Sequence, residues 1–264
     1  MNKGDMEFFR EWFSGYCESF HFLSEDERQN LMLKEKHTYH VCKNSIRIAN
    51  AESLGQDRAL IAEAIGLFHD VGRFPQYAEY KTFRDSISVN HGELGAKVLE
   101  ENSVLHALPE NERGLIITAV KFHNTYKVPD LKEPEMLFFL KLIRDADKLD
   151  IWRVFFEYYE KPVENRPSAV GIGLPDSPEY SKEIVSLVMK KQLVPLTLLK
   201  TLNDFKLTKL SWLFDLNFDI SFRIVAEDNY IGRIAATLPQ TGEIKDMIAF
   251  LQEYMRQRMQ EMAA

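Results

Sequence analysis

With 264 residues, 45% of them hydrophobic and 28% charged, the chain can bury a sizeable core and has the composition of a soluble globular protein. Its net charge of −7 argues against a general nucleic-acid binder, because affinity for the phosphate backbone is carried by Lys and Arg. Cys17 and Cys42 form neither a zinc spacing nor a disulfide framework, and no apolar run is long enough to span a bilayer. A soluble protein of the reducing cytoplasm, without a membrane, is expected.

Gly and Pro are few while Leu, Glu, Lys and Ala abound, which points to a helical chain. Residues 5–22 read as an aromatic-rich amphipathic segment. Ser24, with Glu27 three residues on, has the form of a capping box that opens a helix towards Ala51, either one bent helix or two, stopped by Gly55. Asp57 is the expected cap of the next helix, whose Leu60, Ile61, Ala64, Ile65 and Phe68 recur at helical spacing. That helix delivers His69 and Asp70 at its C-terminal end, with Gly72 and Pro75 terminating it.

Residues 75–88, with Tyr77, Tyr80, Arg84 and Asp85, are expected to connect as an active-site rim. Ser88 or Asn90 starts a helix through Glu100 that carries His91 in its first turn. Pro109 and Pro134 stand at expected N1 positions of helices ending near His123 and near Glu160. Pro and Gly mark 161–178 as a loop, and helical patterns at 179–191, 196–210, 217–237 and 241–260 complete a single all-α domain over 1–264.

The chemistry-bearing residues are spread over these helices. His37 and His40 lie one helical turn apart on one face, and spacing leaves either as a ligand. His69 and Asp70 diverge by about 100° on a helix, yet both can reach an ion placed beyond the helix end. His91 lies in Asn-His-Gly-Glu-Leu-Gly, His123 ends an amphipathic helix, and Asp145, Asp147 and Asp150 form a polar cluster in an apolar helix. A lone helical histidine is ordinarily a packed or surface residue, and His21 and His106 are left to that role. Imidazole and carboxylate together are what a divalent transition metal prefers.

The motifs Lys-x-x-His-Thr-x-x-Val at His37, Leu-Phe-His-Asp-Val-Gly-Arg-Phe at His69-Asp70, and Arg-Asp-Ala-Asp-Lys-Leu-Asp at Asp147 resemble those of the HD-domain superfamily of metal-dependent phosphohydrolases. The likeness covers roughly 30–155 and implies an HD-type helical bundle core, with 179–260 as a C-terminal helical extension. It selects His37 over His40 and Asp147 over Asp145. His91 and His123 are similar to the subset with two extra histidines and a binuclear metal centre. By that resemblance His37, His69, Asp70 and Asp147 hold one ion, and Asp70 bridges to a second held by His91 and His123.

The resemblance also makes Arg73 a phosphate contact and, with Asp70, part of the catalytic site. Lys148 beside Asp147 is a further substrate-binding candidate. The implied cofactor is two divalent ions drawn from Mn, Fe, Ni, Co, Zn or Mg. The implied substrate is a phosphate mono- or diester of a nucleotide or another small metabolite, cut by metal-activated water. The residues at 123–124 and the lack of a Gly-Tyr-Pro motif depart from the cyclic-di-GMP phosphodiesterase subgroup. Two other readings share the ligand set: an HD-fold mixed-valent di-iron oxygenase and a non-catalytic nucleotide-binding module.

Overall fold

The computed structural model describes residues 1–21, 24–160 and 173–262, which form helices joined by turns and no strand. Of the loop expected at 161–178, only 173–178 lie within the described residues, and these carry no helix.

Helix α1 runs Lys3–Glu18, opened by an Asn2–Asp5 capping box that supplies two of its unpaired backbone groups. Its Phe9 and Phe13 pack edge-on against Phe68 and Phe74, with ring centroids 5.3 and 5.9 Å apart. Each such buried ring contributes roughly 1.5–3 kcal/mol. Helix α2, Glu25–Ala51, is one continuous element capped by Ser24, whose hydroxyl accepts from the Glu27 amide at 3.2 Å. The Glu27 carboxylate pairs with Lys81 at 2.9 Å.

Helix α3, Gln56–Phe68, is buried along its whole second half, as a helix apolar on nearly all sides must be. Its N-cap is Gly55 and makes no side-chain cap bond, so Asp57 lies inside the first turn rather than at the cap.

Beyond Asp70 the chain turns directly into α4, Arg73–Tyr80, where 75–88 was expected to be loop. Pro75 terminates nothing there, because its missing N–H falls in a first turn that leaves such groups unpaired. Tyr77 is buried and its hydroxyl accepts from Asn30 at 2.9 Å, so it is packing rather than rim.

Helices α5 (His91–Glu101), α6 (Glu110–Phe122) and α7 (Pro134–Glu160) follow. Asn90 caps α5 through bonds to the Gly92 and Glu93 amides, and Pro109 is the N-cap of α6 rather than its first residue. Helices α2, α3, α6 and α7 pack on one another around the central α3.

The later elements are α8 (Lys182–Met189), α9 (Leu202–Ser211), α10 (Asp219–Glu227), α11 (Tyr230–Ala235) and α12 (Gly242–Glu261). The single helix expected over 217–237 is two, broken at Asn229, which takes the left-handed conformation (φ 50°) that Asn tolerates better than most residues. This layer is fixed to α7 by polar contacts as well as packing. Buried Asp145 accepts from the Asn217 and Phe218 amides at 2.9 and 3.1 Å, and Arg144 pairs with Asp215 at 2.6 Å. Buried apolar residues from Met6 to Met255 make one contiguous cluster.

Candidate metal centre

Helix termini deliver most of the site. His69 is the C-cap of α3 and His123 the C-cap of α6. Each Nδ1 donates back to the carbonyl three residues earlier, Gly66 at 2.8 Å and Val120 at 2.8 Å. Those carbonyls are among the four that every helix leaves unpaired at its end, so the same bond finishes the helix and fixes the ring. His91 is the first residue of α5, and its Nδ1 donates to Asp85 at 2.7 Å. His37 projects from mid-α2, with Nδ1 to Asp150 of α7 at 2.6 Å.

With Nδ1 occupied in all four rings, every Nε2 points to one place. His37 and His69 approach to 3.3 Å through Nε2, and His91 and His123 to 3.0 Å. Asp70 lies between the pairs. One of its oxygens is 3.6 Å from both His37 and His69, and the other is 3.3 Å from His91 and 3.9 Å from His123. Asp147 completes the first pair, 3.1 Å from His37 and 3.7 Å from His69. The structure thus brings together all six residues expected to hold metal, in two groups that share Asp70.

The protonation states decide what the cluster can bind. Burial pushes His91 down to about 3, helped by Arg73, and pushes His123 down to about 4, helped by His69. Both rings are therefore neutral near pH 7. Because Asp85 and the Val120 carbonyl hold their Nδ1 protons, two bare nitrogen lone pairs face each other at 3.0 Å. Neither can donate to the other; a cation between them resolves the arrangement.

At the first pair, burial opposes charge on His37, but the hydrogen bonds it donates to Asp147 and Asp150 outweigh it and lift the ring to about 9. There a proton stands where a cation would otherwise serve. Separations of 3.0–3.7 Å are those of neighbouring donors on one ion with bonds of about 2.1 Å. The imidazole and carboxylate donors suit a divalent transition metal.

Arg73 lies at the edge of the cluster. Its Nη1 donates to Gln76 at 2.9 Å, to Asp85 at 2.8 Å and to the Phe83 carbonyl, while Nε is 3.4 Å from Asp70. Lys148, expected to contact substrate, instead forms a buried ion pair with Asp215 at 2.7 Å and donates to the Arg144 carbonyl at 3.2 Å. Adjacent helix positions diverge by about 100°, so its place next to Asp147 directs it elsewhere.

The sequence pattern does not name Lys34, and it names Asp150, Asp85 and position 124 without the orienting roles that they take. Lys34 donates to Asp70 at 2.8 Å, and Asp150 and Asp85 orient His37 and His91. Asn124 donates to Asp85 at 3.0 Å. Lys34 and Asp150 each lie three residues from a candidate ligand on the same helix, a spacing that would have identified them. Asp85 lies in an isolated turn and carried no such signal.

A family model for the HD domain matches residues 35–152, the segment that runs from His37 through Asp147. This segment is an HD domain. The HD domain is the fold of a superfamily of metal-dependent phosphohydrolases, and the buried His and Asp groups of this one are compatible with metal binding. Among curated proteins and among solved structures no match to the chain is found. Among the described residues no helix is long and apolar enough to cross a membrane.

Asp85 offers a selective test of the HD domain's second histidine pair. Partners that orient ligating histidines typically account for 10–100-fold in metal affinity. Asp85→Ala is expected to weaken binding at His91–His123 by that factor and to leave the His37–His69 group nearly unchanged. Titration with Mn²⁺ followed by calorimetry separates the two affinities; equal weakening of both, or of neither, contradicts the assignment.

Proposed function

We propose that the protein hydrolyses a phosphate ester of a small metabolite, nucleotides included, using two divalent ions that share Asp70. The observation that carries this reading is the pair of inward-facing Nε2 atoms on each side of one carboxylate. His37, His69 and Asp147 would hold one ion and His91 and His123 the other, with Asp70 reaching both. Divalent ions held by these residues would supply charge neutralisation at phosphoryl oxygens and a water more acidic than bulk. Hydrolysis exchanges the ester P–O bond for a P–O bond to the oxygen of water, and the alcohol leaves with a proton.

The chain's own groups then have defined tasks. Asp150, Asp85 and two helix-end carbonyls keep every Nδ1 protonated, which reserves every Nε2 for coordination. Lys34 and Arg73 hold the Asp70 carboxyl in its ionised form. Burial alone would raise that carboxyl, but Lys34, His69, Arg73 and His91 together hold it well below the usual carboxylate range. Arg73 Nη2 has no partner among the described residues and would be available to a phosphoryl oxygen.

Hydrolysis of p-nitrophenyl phosphate, bis-p-nitrophenyl phosphate and a nucleotide panel, measured after loading with Mn²⁺, Co²⁺, Ni²⁺ or Fe²⁺, tests the proposal. Metal-dependent release of product from any of them is the expected result. Complete inactivity with both ions bound contradicts it. Substrate-dependent oxygen uptake by the iron form would replace it with the oxygenase reading that shares these donors.

A further inference from the structure

We infer that Lys209, supplied by α9 from the C-terminal helices, is a contact for a substrate oxyanion and directs the site towards phosphomonoesters. This rests on the proposed reading of the HD site and extends it to a part of the chain outside residues 35–152.

Around the cluster Lys34 pairs with Asp70, Arg73 with Asp85, Arg153 with Asp150, and Arg144 and Lys148 with Asp215. Lys209 is only 4% exposed, and among the described residues it has no hydrogen bond and no carboxylate within 4.0 Å. Its Nζ is instead held against two aromatic faces, 3.8 Å from the Trp212 ring centroid and 4.2 Å from that of Phe205. Cation–π contacts steer an ammonium without neutralising it.

The ring contacts that hold Lys209 also tie it towards α7, because Trp212 lies 5.9 Å, centroid to centroid, from Trp152. Asp147 and Lys34, both on the candidate metal cluster, are the charges that act on it. Burial pushes its ammonium down to about 7, the consequence of desolvating a cation that has no acid beside it.

A buried cation without a counter-charge is costly unless a partner arrives. An anionic substrate group is the partner that would complete this buried, carboxylate-free ammonium, held against Trp212 and Phe205. A monoester phosphate carries a second negative charge near neutral pH that a diester lacks. The two ions, Arg73 and Lys209 together match the doubly charged group better than the singly charged one.

The probe is inorganic phosphate, titrated into the full-length Mn²⁺-loaded protein by calorimetry. Lys209→Met is expected to bind phosphate at least tenfold more weakly, with metal content and melting temperature retained. It should also raise KM for p-nitrophenyl phosphate by at least tenfold, while KM for bis-p-nitrophenyl phosphate changes by less than threefold. Lys209→Arg should recover most of the phosphate affinity. Phosphate binding by Lys209→Met within twofold of wild type overturns the inference.

A second readout uses the unmodified chain and so does not depend on a variant's folding. Saturating phosphate should slow acetylation of Lys209 by acetic anhydride, followed by mass spectrometry, and an unchanged rate overturns the inference equally. If the wild type binds phosphate through Lys209 but hydrolyses no ester, the hydrolytic reading fails and this contact stands.

Discussion

Replacing Asp70 by Asn is expected to lower kcat/KM for the best phosphoester by at least about a thousandfold, roughly 4 kcal/mol of transition-state stabilisation. Asp70 is the only side chain among the described residues with an oxygen facing each histidine pair, at 3.6 Å on one side and 3.3 Å on the other. The amide keeps the shape and removes the charge, and its nitrogen cannot ligate. Metal content should therefore fall from two ions to one or none. Stability should fall as well, by a separate route. A carboxyl held below its usual range contributes stability above its unfolded pKa of about 4, and that stability is lost as pH drops through the folded value. The amide lacks this contribution at neutral pH. Circular dichroism must therefore accompany the kinetics. The account requires activity to vanish in protein that is still folded; a folded Asp70→Asn with ordinary turnover contradicts it.

Among the described glycines, Gly72→Ala is expected to have the largest effect on the fold. Gly72 has ordinary helical angles (φ −69°, ψ −15°), so conformational freedom is not the reason for a glycine there. Space is the reason. A Cβ would lie 2.2 Å from the His91 carbonyl oxygen, 2.6 Å from the Gly95 amide nitrogen and 3.1 Å from the Gly95 Cα. All of these are backbone atoms, which cannot rotate aside as a side chain can. The start of α5 must move, and His91 moves with it.

A cost of about 3 kcal/mol or more follows, or roughly 6–12 °C in melting temperature for a chain of this size. The His91–His123 group should lose its ion while the His37–His69 group retains one. Gly15→Ala is the control, since nothing lies within 4 Å of a Cβ there and a helical alanine is favourable. Equal melting temperatures for Gly72→Ala and wild type would mean that α5 does not depend on this contact.

The helices and the six converging residues were legible because both are written in local pattern. His69, His91 and His123 fall at helix boundaries, and boundaries are marked by Gly, Pro, Asn and the end of an apolar period. Pro75 and Asn229 were misread for a related reason. A proline in a first turn looks in sequence like one that ends a helix, and a left-handed Asn inside an apolar pattern leaves the periodicity nearly intact. Lys148 pairs with Asp215 although it adjoins Asp147, because neighbours in sequence point in different directions on a helix. The sequence places Asp85 on the site's rim but not on His91, and Lys209 was beyond reach. One acts from an isolated turn and the other from α9, 62 positions after Asp147 in the numbering, and only tertiary packing brings either to the cluster.

The central claim is that one carboxylate, Asp70, joins two metal positions. Elemental analysis of the metal-saturated protein, with anomalous scattering from its crystals to locate the ions, addresses this most directly. Two transition-metal ions per chain are expected, one among His37, His69 and Asp147 and one against His91 and His123, with Asp70 contacting both. A single ion at saturation, with His91 and His123 unliganded, would contradict it.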